Sequence, residues 1–238
     1  MNDIPVLILA GGLGTRISKY YKDKQKCMIK FKGKPFLYYV IKNFIKNDFK
    51  NIIILTGYNS HQIYNYFYDG EKINSKIIYS TDGKRLLGTG GAVKKALKFV
   101  KSDFIIAYAD AFLNYNYQKI YNHYKSNKQS SLLTVDKNKS LIDKNNVFVK
   151  KNKITYYKKQ NTDFSAKLCN YHDWGISIFN KKVFKNIKKK IFDLEYVYQQ
   201  QIKKKTLHSY EVNKKYYEIG SMQGIKKFKL FLNGKKNK

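Results

Sequence analysis

Arginine, histidine and cysteine are scarce in this 238-residue chain, and no apolar run is long enough to cross a membrane. Of its 48 basic residues only Arg16 and Arg85 are arginine; the rest are lysine, and the formal charge is +32. Proteins that read bases or clamp phosphates usually draw on arginine's bidentate fork. A specific nucleic-acid function is therefore not expected, and the lysine excess reads as a solvated surface with weak, salt-sensitive affinity for polyanions. The lysines are spread along the chain among abundant Asn, Ile and Tyr, which marks a compositional bias, whereas both arginines sit in glycine-bearing loops. Two cysteines, Cys27 and Cys169, make no disulfide framework and suit a reducing cytoplasm. A membrane span needs roughly 20 consecutive apolar residues, which this chain lacks. Its opening, MNDIPVLILAGG, has a short apolar run, but Asp3 precedes it and no basic segment leads in, so a strand is expected rather than a leader. The 16% aromatic content is mostly tyrosine and reads as core and surface composition, not a base-stacking platform.

At 43% hydrophobic the chain can bury one substantial core, so one domain is expected, with a smaller lobe. Val6 to Ala10 is a continuous apolar run ending in glycines, the pattern of a buried parallel strand. Pro35 opens a helix with Phe36, Leu37, Val40, Ile41, Phe44 and Ile45 at helical spacing. Further strands are expected at Asn51 to Thr56, Lys76 to Ser80 and Phe104 to Tyr108, with helices at Ser60 to Tyr68 and from the Gly88–Gly91 loop through Val100. Strands separated by single helices imply a doubly wound α/β sheet. In the less regular second half, strands are expected at Ser130 to Val135, Val147 to Lys150, Ile154 to Tyr157, Trp174 to Phe179 and Ser209 to Val212. Helices are expected near Lys182 to Lys188, at Leu194 to Lys203, and from a Ser221 cap to about Leu232, before a basic tail from Gly234 to Lys238.

Leu9-Ala10-Gly11-Gly12-Leu13-Gly14-Thr15-Arg16 follows the first strand directly, with Lys26 ten residues on. Glycines let a backbone approach a triphosphate closely, and successive amides can form an anion nest. Arg16 and Lys26 can neutralise charge that builds on a leaving pyrophosphate. The alternative is an ordinary glycine turn between strand and helix. The run lacks the Gly-Lys-Ser/Thr of a Walker A loop and the third glycine of a dinucleotide fingerprint. Asp110, at the end of a buried strand and near the glycine loops, is the candidate for a Mg²⁺ ligand, and Glu218 is either a second hard ligand or the partner of a lysine. Cys169-x2-His172 has metal-like spacing without a second pair, so zinc is not expected. His172-Asp173 has no nucleophilic Ser or Cys motif beside it.

The Leu9 to Arg16 run, Lys26-Cys27-Met28 and Gly33-Lys34-Pro35-Phe36-Leu37 closely resemble the opening of the sugar-1-phosphate nucleotidyltransferases. Leu86-Leu87-Gly88-Thr89-Gly90-Gly91-Ala92 resembles that family's second glycine loop, which contacts base and ribose, and Asp110 its metal-binding aspartate. Asp173-Trp174-Gly175 and Tyr217-Glu218-Ile219-Gly220-Ser221 resemble a subgroup similar to heptose-1-phosphate guanylyltransferases. The resemblance implies a Rossmann-like, GT-A-like mostly parallel or mixed sheet with a small sugar-binding lobe, about 1–135 binding NTP and about 136–238 the sugar phosphate. It implies Mg²⁺-dependent nucleotidyl transfer to a sugar 1-phosphate, with GTP and a heptose 1-phosphate as first choice and another NTP and acceptor, such as CTP, UTP or dTTP, as alternative. Leu9, Ala10, Gly11, Gly12, Gly14, Thr15, Arg16, Lys26, Gly88, Thr89, Gly90 and Gly91 would hold the nucleotide. Lys159, or Lys158 beside it, would hold the sugar phosphate with Asp173 and Gly175; Asp110 and Glu218 would hold Mg²⁺. NDP-sugar supply for polysaccharide biosynthesis is the implied setting, and a homo-oligomer is compatible with it.

The sequence departs from the family pattern in places. Cys27 stands where proline is usual, Ala109 where glycine is usual, and Glu218 where many members have aspartate. A binding protein that kept the fold without turnover, or a polyanion-binding module, are the rivals from another class. Retained Arg16, Lys26 and Asp110 argue against lost turnover.

Overall fold

Strand β1 (Val6–Leu9) is buried at every position, as its unbroken apolar run requires. The computed structural model describes residues 4–12, 21, 25–57, 60–137, 145–159 and 168–234. After β1 come the two-residue strands β2 (Lys30–Phe31) and β3 (Lys34–Pro35), then β4 (Asn51–Thr56), β5 (Lys76–Thr81), β6 (Asp103–Tyr108) and β7 (Ala111–Leu113). The later strands are β8 (Ser131–Asp136), β9 (Val147–Lys150), β10 (Lys153–Tyr157), β11 (His172–Asn180), β12 (Leu207–Glu211) and β13 (Tyr216–Glu218). Six helices alternate with them: α1 (Phe36–Lys46), α2 (His61–Phe67), α3 (Gly88–Ala96), α4 (Tyr117–Ser126), α5 (Leu194–Lys203) and α6 (Met222–Leu232). Among the described residues, no helix is long and apolar enough to cross a membrane.

The chain forms two compact units, one of Met1–Leu86, Ala107–Tyr115 and Lys214–Lys238, the other of Leu87–Ile106 and Asn116–Asn213. In the first, β1, β4 and β5 are parallel neighbours, with Val6 opposite Ile52 and Asn51 opposite Lys76. Helix α1 buries the six apolar residues that its spacing predicts, and its buried Asn43 donates to the Leu113 carbonyl at 2.7 Å. Helix α6 inserts Phe228, fully buried, among the rings of Phe31, Phe36, Tyr39, Phe112 and Tyr217. Rings packed edge to face at such distances add to the burial itself. The same helix starts at Ser221, whose Oγ accepts the Gly224 N–H at 3.1 Å, so the expected cap is present.

The second unit is mixed. Its strand order is β6-β11-β8-β12-β10-β9. Strand β11 runs antiparallel to both β6 and β8, and β12 runs parallel to β8. Strand β6 passes out of this unit at Ile106, and its last two residues belong to the first.

Several local expectations are corrected. Gly88–Gly91 is not a loop before a helix but the first turn of α3 itself. The helix expected at Lys182 to Lys188 is a single 3-10 turn, Lys181–Phe184, ended by a turn at 185–186. The late strand lies at Leu207–Glu211 rather than Ser209 to Val212. The short strands β7 and β13 and helix α4 were not expected.

Candidate active site

In the first unit the glycine run after β1 is held by neighbouring backbone. The Ala10 N–H donates to the Leu55 carbonyl at 2.8 Å, and the Leu9 carbonyl accepts the Ala109 N–H at 3.0 Å. Gly11 is pressed against Gly57: a methyl on Gly57 would meet the Gly11 carbonyl oxygen at 3.1 Å. Gly12 is different, because a methyl there would touch nothing within 4 Å. Gly57 must therefore stay small where it packs on Gly11, while the space beside Gly12 is open. Gly14, Thr15 and Arg16 lie outside the described residues.

The sequence scatters Lys26, Asp110 and Glu218, and the fold gathers them. Lys26 begins a 3-10 turn, Lys26–Met28, anchored by the buried Cys27. Asp110 sits in the turn between β6 and β7, and its carbonyl accepts the Ile219 N–H at 3.1 Å. Strand β13 pairs antiparallel with β7, setting Glu218 opposite Ala111, the residue after Asp110. The Lys26 ammonium forms an ion pair with Asp110 Oδ2, both side chains largely covered. Beside it, a methyl built on Gly220 would collide with Glu218 Oε1 and lie 3.5 Å from Lys26 Nζ. Two carboxylates and one ammonium thus converge around Gly220.

This donor set fits a magnesium ion delivered with a nucleotide. Mg²⁺ takes hard oxygens, usually one or two carboxylates plus phosphates and waters, rather than an all-protein cage. Among the described residues no group of three or more His, Cys, Asp or Glu side chains is placed to hold a metal. The Lys26 ammonium against Asp110 shows that positive charge is already stabilised there. Cys27 takes no part as a nucleophile: burial, and then the Asp110 charge, push its thiol up to about 12. Ala109 is buried, so its methyl is covered by protein and does not project into open space.

The second unit carries the other candidate residues. Gly88 has φ +71°, and a methyl there would meet the Phe192 carbonyl oxygen at 2.7 Å. Methyls on Gly90 and Gly91 would collide with the Phe192 ring and the Lys190 carbonyl. The Gly90 and Gly91 amides donate to the Phe192 carbonyl at 2.9 and 3.0 Å. These glycines let the 190–193 segment lie on the start of α3, and those amides are already engaged by protein. The turn is therefore not an open phosphate nest.

Lys159 follows β10 and places Nζ 3.7 Å from Asp193 Oδ2, both half-exposed. The Lys158 amide donates to the Asn146 carbonyl at 3.1 Å. Asp173 lies where the β11–β8 register shifts, next to Gly175 at φ +78°. Its carboxylate accepts the Tyr157 hydroxyl at 2.9 Å and the Gly175 N–H at 2.8 Å. Burial nonetheless holds its pKa above the usual carboxylate range, against those two bonds. A carboxylate so placed suits a sugar hydroxyl; against a phosphate it would repel. Asp193 was missed in the sequence. Standing just before a helix, it reads only as an N-cap of α5.

Residues 5–230 match the profile of the family described as Nucleotidyl transferase. The chain belongs to the nucleotidyl transferase family. It is 40% identical over 114 residues to the D-glycero-alpha-D-manno-heptose 1-phosphate guanylyltransferase of Campylobacter jejuni, a stretch of 48% of this chain and 51% of that protein. The match thus spans about half that relative's length. The protein of the same description from Aneurinibacillus thermoaerophilus is 28% identical over 182 residues, 75% of each chain. The crystal structure of HddC from Yersinia pseudotuberculosis, complexed with GMP-PN, has the same fold. Its TM-score is 0.80 at 23% identity, over 96% of this chain and 99% of that one. The family that the glycine run and Lys26 suggest in the sequence is the family found.

Proposed function

We propose that this chain transfers a nucleotidyl group from an NTP to a sugar 1-phosphate, releasing pyrophosphate, with GTP and a heptose 1-phosphate as the pair. The observation that carries the reading is the convergence of Lys26, Asp110 and Glu218 beside the glycine run. The guanylyl and heptose assignments rest on the relatives' descriptions.

The chemistry asks little of acid–base groups. An acceptor phosphate is already ionised near neutral pH, so its oxygen attacks the α-phosphorus as the bond to pyrophosphate breaks; positioning and charge stabilisation do the rest. Lys26 and Arg16 neutralise phosphate oxygens, Lys159 holds the acceptor's phosphate, and the Asp173 carboxylate orients a sugar hydroxyl. Asp110 and Glu218 hold Mg²⁺, which supplies charge stabilisation on the phosphates when bound. The Thr89 turn faces the base and ribose as a packed surface rather than through free amides, since those of Thr89, Gly90 and Gly91 are engaged by Asp193 and Phe192.

A pyrophosphate-release screen of several NTPs against a panel of sugar 1-phosphates tests this reading. Fastest turnover with GTP and D-glycero-α-D-manno-heptose 1-phosphate is expected. A different best pair overturns the substrate assignment, and no turnover with any pair overturns the activity. Lys26→Ala is expected to raise the KM for the NTP, because it removes a charge-assisted contact of about 2 kcal/mol; an unchanged KM would remove Lys26 from the triphosphate site. Glu218→Gln is expected to raise the Mg²⁺ concentration for half-maximal rate and to lower the rate roughly tenfold, about 1.4 kcal/mol. If Glu218 merely pairs with a lysine, Mg²⁺ dependence will not move.

A further inference from the structure

Asp193 ties together features that lie far apart in the sequence. Although it directly precedes α5, its carboxylate makes no cap bond to that helix. Oδ1 instead accepts both the N–H and the hydroxyl of Thr89 at 3.1 Å, at the start of α3. Thr89 Oγ1 in turn accepts the Leu194 N–H, at the start of α5, at 2.9 Å. Each helix start is capped by a residue of the other. The second carboxylate oxygen, Oδ2, faces Lys159 Nζ at 3.7 Å. Burial alone would raise the Asp193 pKa, but the Thr89 amide and the Lys159 charge outweigh it and hold it below the usual carboxylate range. Asp193 is therefore an ionised group with one oxygen fixed by Thr89 and the other turned to a lysine.

A lysine side chain carries roughly 2 kcal/mol of rotamer entropy, so a free Lys159 would have to be ordered anew by each acceptor. A fixed counter-charge reduces that cost, and an ammonium has three donors, enough to keep one on Asp193 and offer others to a phosphate. We propose that Asp193 is a positioning residue, which holds the Lys159 ammonium beside the Thr89 turn so that the acceptor's phosphate meets a preformed partner. This rests on the reading of Lys159 as the acceptor-phosphate lysine. Asp193 touches neither substrate; it acts through Lys159 on one side and Thr89 on the other.

The two sides can be separated. Asp193→Asn keeps an oxygen for Thr89 and removes only the charge facing Lys159. With GTP and the sugar 1-phosphate selected by the screen, it should raise the acceptor's KM roughly threefold, the scale of a half-exposed ion pair. The KM for GTP, kcat and Tm should hardly change. Asp193→Ala also releases the Thr89 amide, so it should raise the GTP KM as well and lower Tm. Because Asp193 acts through Lys159, the double variant Asp193→Asn/Lys159→Ala should have the acceptor KM of Lys159→Ala alone. An unchanged acceptor KM in Asp193→Asn overturns the proposal, as do effects that multiply in the double variant. A fall in kcat that only tracks a fall in Tm also overturns it, marking Asp193 as purely structural. If Lys159→Ala by itself leaves the acceptor KM unchanged, the assignment of Lys159 fails first and the role of Asp193 falls with it.

Discussion

Asp110→Asn is expected to leave the fold intact and to cut turnover about a thousandfold, a barrier increase of ~4 kcal/mol. The fold should survive because the backbone contact that places the residue is untouched: the Asp110 carbonyl still accepts the Ile219 N–H. Asparagine is also nearly the same size as aspartate, so it fits the same largely covered place. Turnover should fall because one neutral amide replaces the charge that steadies Lys26 and that, on the proposed reading, attracts Mg²⁺. The loss should exceed that of Lys26→Ala, since a metal bound to phosphates stabilises more of the developing charge than one ammonium does. Pyrophosphate release at saturating Mg²⁺, with a thermal melt beside it, separates the two effects. A near-normal rate in a normally folded variant removes Asp110 from the metal assignment, and a large drop in Tm would show that the charge holds the fold instead.

What the sequence makes legible depends on whether a signal is local. The α1 stripe is eleven residues long, and each of its six apolar positions is buried, because helical periodicity over three turns admits one buried face. Asn51 to Thr56 reads as a strand because its apolar run is unbroken and closed by glycine. Strands β7 and β13 are three residues each, too short to show any period, although they carry Glu218 to its place beside Asp110. Helix α4 did offer a signal. Asn116 caps it, and Tyr117, Ile120 and Tyr124 are its buried face, but tyrosine in a chain with 22 of them is a weak marker of burial.

The glycines show the same limit at the site. Gly88, Gly90 and Gly91 are legible as a special turn, but the reason they must be small is the 190–193 segment, about a hundred residues away. A ligand and a packed segment leave the same mark on a sequence. Gly12 is the converse case, a glycine whose side-chain space stays open. Asp193 stands directly before α5, yet its carboxylate serves the start of a helix distant in the sequence. In each case the non-local partner decides the role, and only the fold supplies it.

Gly224 gives the sharpest test of that distinction, because local propensity and tertiary packing predict opposite signs. It lies in the first turn of α6, where glycine is less favourable than alanine by about 1 kcal/mol, so propensity alone makes Gly224→Ala stabilising. A methyl on Gly224, however, would collide with the Glu218 carbonyl oxygen and lie 3.0 Å from its carbon. A backbone carbonyl at the end of β13 cannot rotate aside as a side chain could. The start of α6 must then move away from β13, straining the Ser221 cap and the seat of Phe228. Overpacking of this kind costs about 3 kcal/mol, which outweighs the propensity gain. The denaturant midpoint should fall accordingly. Because the carbonyl the methyl presses on is that of Glu218 itself, the folded fraction should also need more Mg²⁺ for half-maximal rate, as is expected of Glu218→Gln. A midpoint that stays or rises would show that α6 and β13 have room to separate. Lost stability with unchanged Mg²⁺ dependence would mean that Glu218 keeps its place without Gly224, or that it does not hold the metal; the Glu218→Gln titration tells these apart.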